Sequence, residues 1–144
     1  MGLFHLYPSF SQRVSEGQKA VLWVEDCLRL DLQEGRFAGE EQDILGREVC
    51  CEYGRVDLLL TDWVLEIKRA DKWKEGVGQL MVYGLEYPQK GRWLHLYPQR
   101  EMGKLRHPHK IQESVGRLKN KVEEACEHLG IRVTWADEGA QDTE

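Results

Sequence analysis

The sequence predicts one α/β domain, and three observations carry that prediction. Amphipathic stretches of helix length alternate with short runs rich in Val, Leu and Ile, in the order α-β-β-β-α-β-α-β. The 144 residues suffice for one real core but not for two. Hydrophobic residues at 41% and charged residues at 31% fit an ordinary globular protein. Residues 1–135 are expected to form the domain, with 136–144 as an acidic, disordered tail.

The first element is a helix over residues 15–33. Ser15 can cap it, Gln18 stands at the capping-box position, and Ala20, Val21, Val24, Cys27, Leu28 and Leu32 make an apolar stripe. A polar loop over 35–43 leads to strands at 44–53, 55–60 and 63–69. Thr61-Asp62 is the candidate turn between the last two. A second helix follows over 73–86, weakened by Gly76, Gly78 and Gly84, then a strand over 92–97. Residues 98–109 read as a basic loop and 110–129 as a long helix capped by Gly130. A short strand over 131–135 closes the order.

Several classes are excluded. No apolar run is long enough to cross a membrane, and residues 1–10 do not read as a secretory signal. Cys27, Cys50, Cys51 and Cys126 lack CxxC spacing, which argues for a reducing cytoplasm rather than a zinc or disulfide framework. The phosphate loop GxxxxGK[ST], GxSxG and HExxH are missing. Net charge is −5, but unevenly spread: −7 over residues 1–66, +8 over 67–121 and −6 over 122–144. A basic band of this kind suits a polyanion such as nucleic acid, or else a solvated surface.

Residues 54–68, GRVDLLLTDWVLEIK, are the most informative stretch. If Thr61-Asp62 is a two-residue hairpin loop, Leu59 faces Val64, Leu58 faces Leu65 and Asp57 faces Glu66. Cross-strand partners share a face, and Lys68 lies two residues beyond Glu66 on that same face. Two carboxylates and an ammonium then converge on a patch of Leu, Val and Ile. Facing carboxylates repel, and a divalent cation such as Mg²⁺ removes the conflict. The turn residues are not a favoured hairpin pair, so a different register without a site stays open.

Asp57 followed by Glu66-Ile67-Lys68 resembles the signature of the PD-(D/E)xK, or restriction-endonuclease-like, nuclease superfamily. Gln79 and Tyr83, four apart in QLMVY, resemble the QxxxY motif of its RecB-like branch. The text from Gly46 to Tyr83 is locally similar to the catalytic domain of archaeal and actinobacterial mismatch endonucleases. Val56 stands where the literal motif has proline, and those enzymes' N-terminal domain has no counterpart in the sequence. The resemblance implies an αβββαβ core with a mixed sheet, plus a C-terminal helix and short strand. It implies Mg²⁺ or Mn²⁺ held by Asp57, Glu66 and the Ile67 carbonyl, with Lys68 positioning or activating water. Gln79 and Tyr83 would support the lysine or the substrate strand.

The family usually adds a glutamate from the first helix. Glu25, flanking the apolar stripe, is preferred to Glu16, which suits the helix dipole at the N-terminus. Arg69, Lys72 and Lys74 could meet phosphates or simply face solvent, and Arg100, Lys104 and Arg106 extend the same basic band. Trp73 reads as core rather than a stacking platform, and His95 as structural. His107 and His109 have no companion ligand for zinc.

The expected function is metal-dependent hydrolysis of phosphodiester bonds by an endonuclease, in DNA more than RNA. The expected location is cytoplasmic or nucleic-acid associated, and double-strand cleavage would need a homodimer. The alternatives are an RNA endonuclease, or a catalytically silent nuclease-like DNA-binding or assembly subunit.

Overall fold

A computed structural model of the chain describes residues 16–35, 43–98 and 108–136. The elements are helix α1 (Glu16–Gln33), strands β1 (Ile44–Cys51), β2 (Gly54–Leu60) and β3 (Trp63–Arg69), and a 3₁₀ turn (Ala70–Lys72). Helix α2 (Trp73–Glu86), strand β4 (Gly91–Tyr97), helix α3 (Pro108–Leu129) and strand β5 (Ile131–Trp135) follow. The fold is α/β, with the expected αβββαβ core, C-terminal helix and short strand. Among the described residues no helix is long and apolar enough to cross a membrane.

The five strands lie in sequence order in one mixed sheet. β1, β2 and β3 are antiparallel, joined by two-residue loops at Glu52-Tyr53 and Thr61-Asp62. β3, β4 and β5 are parallel, joined through α2 and α3. Both crossover helices pack on one face of the sheet, as like-handed crossovers require. There Leu80 and Tyr83 of α2 and Val122 and Cys126 of α3 meet Val56, Val64, Leu94 and Leu96. α1 covers the other face, where its spaced Val24, Leu28 and Leu32 bury against Leu58, Leu65, Ile67 and Trp93.

Local chemistry sets the boundaries. β1 stops at Cys51, two residues short of the sequence expectation, because Glu52-Tyr53 make the turn and Gly54 leaves it at φ 138°. α3 begins at Pro108, whose fixed φ and missing N–H suit a first helical position. Gly130, at φ 70°, ends α3 as expected, its N–H bonding the Glu127 carbonyl at 3.2 Å. At the Thr61-Asp62 turn Lys90 Nζ donates to the carbonyls of Leu60 (2.8 Å) and Thr61 (2.6 Å). This clamp compensates for turn residues that are poor hairpin formers.

His95 is structural. Its Nδ1 lies 2.7 Å from Thr134 Oγ1, which also accepts from Trp93 Nε1 at 2.7 Å, and burial pushes its pKa down to about 4. Trp73 is partly buried against the core beneath α2.

Candidate active site

The site forms where β2 and β3 part. Leu58 pairs with Leu65 and Leu59 with Val64, as the turn predicts. In a continued ladder Ile67 would face Val56. Instead the Ile67 N–H donates to Asp57 Oδ2 at 2.8 Å, and the Asp57 N–H donates to Glu66 Oε1 at 3.4 Å. The two carboxylates thus occupy the gap between the strands, each tied to the other strand's backbone.

That placement is electrostatically costly. Glu66 is only 3% exposed. Burial, then the Asp57 charge beside it, pushes its pKa up to about 8, against the opposing pull of Lys68. Burial also raises Asp57, opposed by its Ile67 hydrogen bond and by Lys68, and seconded by the charge of Glu48. Desolvating one carboxylate costs several kcal/mol, and desolvating two side by side costs more. A proton or a cation must share the site, and a hard divalent ion takes this donor chemistry of carboxylate oxygens, backbone carbonyl and water. The fit is therefore to an ion that keeps several waters. Among the described residues no group of three or more His, Cys, Asp or Glu is arranged to hold a metal.

Helix α2 covers the site. Tyr83 Oη donates to the Arg55 carbonyl at 3.0 Å, fixing the start of β2 beneath the helix. Its phenol is raised by burial and by the charges of Glu66 and Asp57. Gln79, one turn earlier, has a buried Oε1 without a partner among the described residues. Lys68 Nζ lies 3.8 Å from Glu75 Oε1, one further turn back. Glu66 and Lys68 thus share the α2 side of β3 with Tyr83, Asp57 and the Ile67 backbone meet where the strands part, and the Ile67 side chain packs toward α1.

Glu25 is placed elsewhere. It is 5% exposed and paired with the Arg47 guanidinium. Arg47 lies opposite Leu58, on the face that α1 covers, whereas Lys68 lies against α2 on the other face. The side chain of Glu16 is outside the described residues. Of the basic residues, Arg69 makes two bonds to Asp71 (2.5 and 3.0 Å), and that guanidinium holds the Asp71 carboxyl down. Lys72 and Lys74 are exposed beside the site, Lys74 lying 5.8 Å over the Trp73 ring. Arg100, Lys104, Arg106, His107 and the side chain of His109 lie outside the described residues, as does the acidic tail 137–144.

Two carboxylates near the site were not foreseen. Glu48 falls opposite Asp57 in the β1–β2 register, between the pairs Arg47–Leu58 and Val49–Val56, at φ 48°. Its left-handed backbone breaks the alternation by which a strand residue is read. Glu75 precedes Gln79 by four residues and Tyr83 by eight, so helical spacing alone places it on their face.

No family model matches the chain, and no solved structure matches it. Three curated proteins of Acanthamoeba polyphaga mimivirus are similar to it in part. KilA-N domain-containing protein L33 is 36% identical over 91 residues, 62% of this chain. KilA-N domain-containing proteins L32 and R878 are 42% and 38% identical over 50 residues, 35% of this chain. The chain spans 30% of the length of L33, 13% of L32 and 14% of R878, so the likeness is to a segment of longer proteins.

Proposed function

We propose that the chain is a divalent-metal-dependent nuclease of the PD-(D/E)xK type that hydrolyses phosphodiester bonds in DNA. The observation that carries this reading is the Asp57–Glu66 pair, a half-buried and a buried carboxylate each bonded to the other strand's backbone where β2 and β3 part. Asp57 and Glu66 would hold Mg²⁺ or Mn²⁺, with the Ile67 carbonyl as a third ligand. When bound, the cation lowers the pKa of water and offsets charge on the phosphoryl oxygens. Lys68 orients the attacking water and balances charge that develops on the scissile phosphate. Tyr83 anchors the β2 backbone just before Asp57, and Gln79 supplies a buried acceptor for Lys68 or the substrate strand.

A plasmid and a panel of labelled DNA and RNA oligonucleotides test this directly. Nicking with Mg²⁺ that stops on chelation is expected, together with calorimetric binding of Mn²⁺ that vanishes in Asp57→Ala. Cleavage that persists in chelator would overturn the reading. One site cuts one strand at a time, so linearisation of the plasmid without a nicked intermediate would require a homodimer.

A nucleic-acid partner is the coarser part of the proposal, and the likeness to KilA-N domain-containing proteins is compatible with it. That likeness also favours a second reading, a DNA-associated module of this fold that does not cut. Mn²⁺ binding without cleavage of any substrate would select it.

The approach of DNA gives a further expected result. Lys72 and Lys74 stand exposed at the start of α2, next to the active strand. Each phosphate contact contributes about −0.9 to the slope of log affinity against log salt. Changing both lysines to Glu is expected to flatten that slope by about two and weaken binding on all sequences alike. Arg29→Glu on α1, beneath the other face, is the control. An unchanged slope would place the DNA path away from α2.

A further inference from the structure

The first turn of α2 rests on the lysine of the site. A β-carbon at Gly76 would come 2.9 Å from Lys68 Cγ and 2.7 Å from Leu94 Cδ1, so only glycine lets the helix backbone approach the lysine stem this closely. With the stem pinned at Cγ, the remaining freedom of Lys68 lies in the outer half of its side chain. The ammonium then has two sets of acceptors within reach. One is the Asp57–Glu66 pair, because Lys68 lies two residues beyond Glu66 on β3 and shares its face. The other is Glu75, 3.8 Å away on the helix. An ammonium lying on Asp57 and Glu66 would compete with a cation for the same oxygen lone pairs.

We propose that Glu75 is a positioning residue, which draws the Lys68 ammonium toward α2 and leaves the Asp57 and Glu66 oxygens to a divalent cation. This rests on the metal-site reading above. Gly76 brings the helix down onto the stem, and Glu75 decides where the tip goes. Glu75 is itself 57% exposed, which leaves it free of any role in the core. Its ordinary alternative is an acidic residue that favours the N-terminal end of α2.

A double-mutant cycle on Mn²⁺ affinity separates the two, using wild type, Glu75→Gln, Lys68→Met and the double variant. Glu75→Gln is expected to weaken Mn²⁺ binding by up to about 5-fold, the range of a partly exposed ion pair. In the Lys68→Met background the same change is expected to have no effect, because no ammonium remains to collapse onto the ligands. An equal loss in both backgrounds would overturn the proposal, since it would reflect only the charge of Glu75 acting at a distance. So would unchanged affinity in Glu75→Gln. Wild type that binds no Mn²⁺ at all would overturn the metal-site reading itself, a result distinct from either. Cleavage kinetics add an independent readout: a positioning role lowers kcat and leaves KM for DNA unchanged. An exposed acid that merely repels phosphates would instead lower KM when removed.

Discussion

Glu66→Ala and Asp57→Ala are each expected to lower the rate of phosphodiester cleavage by at least ~10²-fold while the protein remains folded. The two halves of that statement have one cause. Glu66 is buried beside the Asp57 charge, and it accepts from the Asp57 N–H at 3.4 Å and hydrogen-bonds the Asp57 side chain. A group held under such conditions is poor at stabilising a fold and well suited to ligating a cation. Removing it spares the metal-free protein the desolvation of a buried carboxyl, and it would take a ligand from the proposed metal-bound one. Lys68→Ala is expected to lose activity on a similar scale with Mn²⁺ binding retained, because the proposed part of Lys68 is toward water and phosphate. Circular dichroism and thermal melts check the fold, and single-turnover cleavage checks the chemistry. Full activity in Glu66→Ala would remove the site from β3.

The metal-free protein is expected to lose stability between pH 6.5 and 8. The Glu66 pKa is raised from 4.5 to about 8 on folding. The native state therefore binds more protons than the unfolded state across that interval, and the stability present below the unfolded value is lost as pH approaches 8. Asp57 is raised as well and acts in the same sense. His95 acts oppositely: its pKa falls from 6.5 to about 4, so its contribution is lost as pH falls through that lower range. Above pH 6.5 only the last part of the histidine effect remains, and the carboxylates dominate. A loss of ~1–2 kcal/mol, or ~5 °C in Tm, is the expected scale. Adding Mg²⁺ is expected to raise Tm more at pH 8 than at pH 6.5, because a cation displaces the shared proton. Glu66→Gln is expected to flatten both responses. A metal-free Tm that is equal at the two pH values would contradict the raised, buried Glu66 carboxyl.

How much of this could be read in the sequence follows the range of each signal. The β2–β3 hairpin was legible because a two-residue loop fixes register, and Leu58–Leu65 and Leu59–Val64 fall as expected. Gln79 and Tyr83 were legible because helical spacing puts residues four apart on one face. The clamp from Lys90 was not, since it joins residues thirty apart in sequence. The partner of Glu25 was not legible either. Arg47 reaches it only through the β1–β2 register, which shifts between Ile44 and Gly46. Glu75 carried its signal openly at Gln79 minus four but resembled any surface acid. The opening at Asp57 and Ile67 was hidden for a different reason: side chains replace ladder bonds there, and no periodicity records that substitution.

The kink in β1 bears on how copies of this chain could meet. β1 is an outer strand of the sheet, and its far side carries no neighbouring strand among the described residues. A regular outer strand invites another chain to add to it, edge against edge. Here the register shift between Ile44 and Gly46 and the left-handed Glu48 crowd two irregularities into eight residues. They turn successive N–H and C=O groups out of line, so an incoming strand would find no continuous row to pair with. Two copies arranged to cut opposite strands would therefore not join by continuing the sheet across β1. The spacing of their two sites would be set by another surface, not by a sheet continued across this strand.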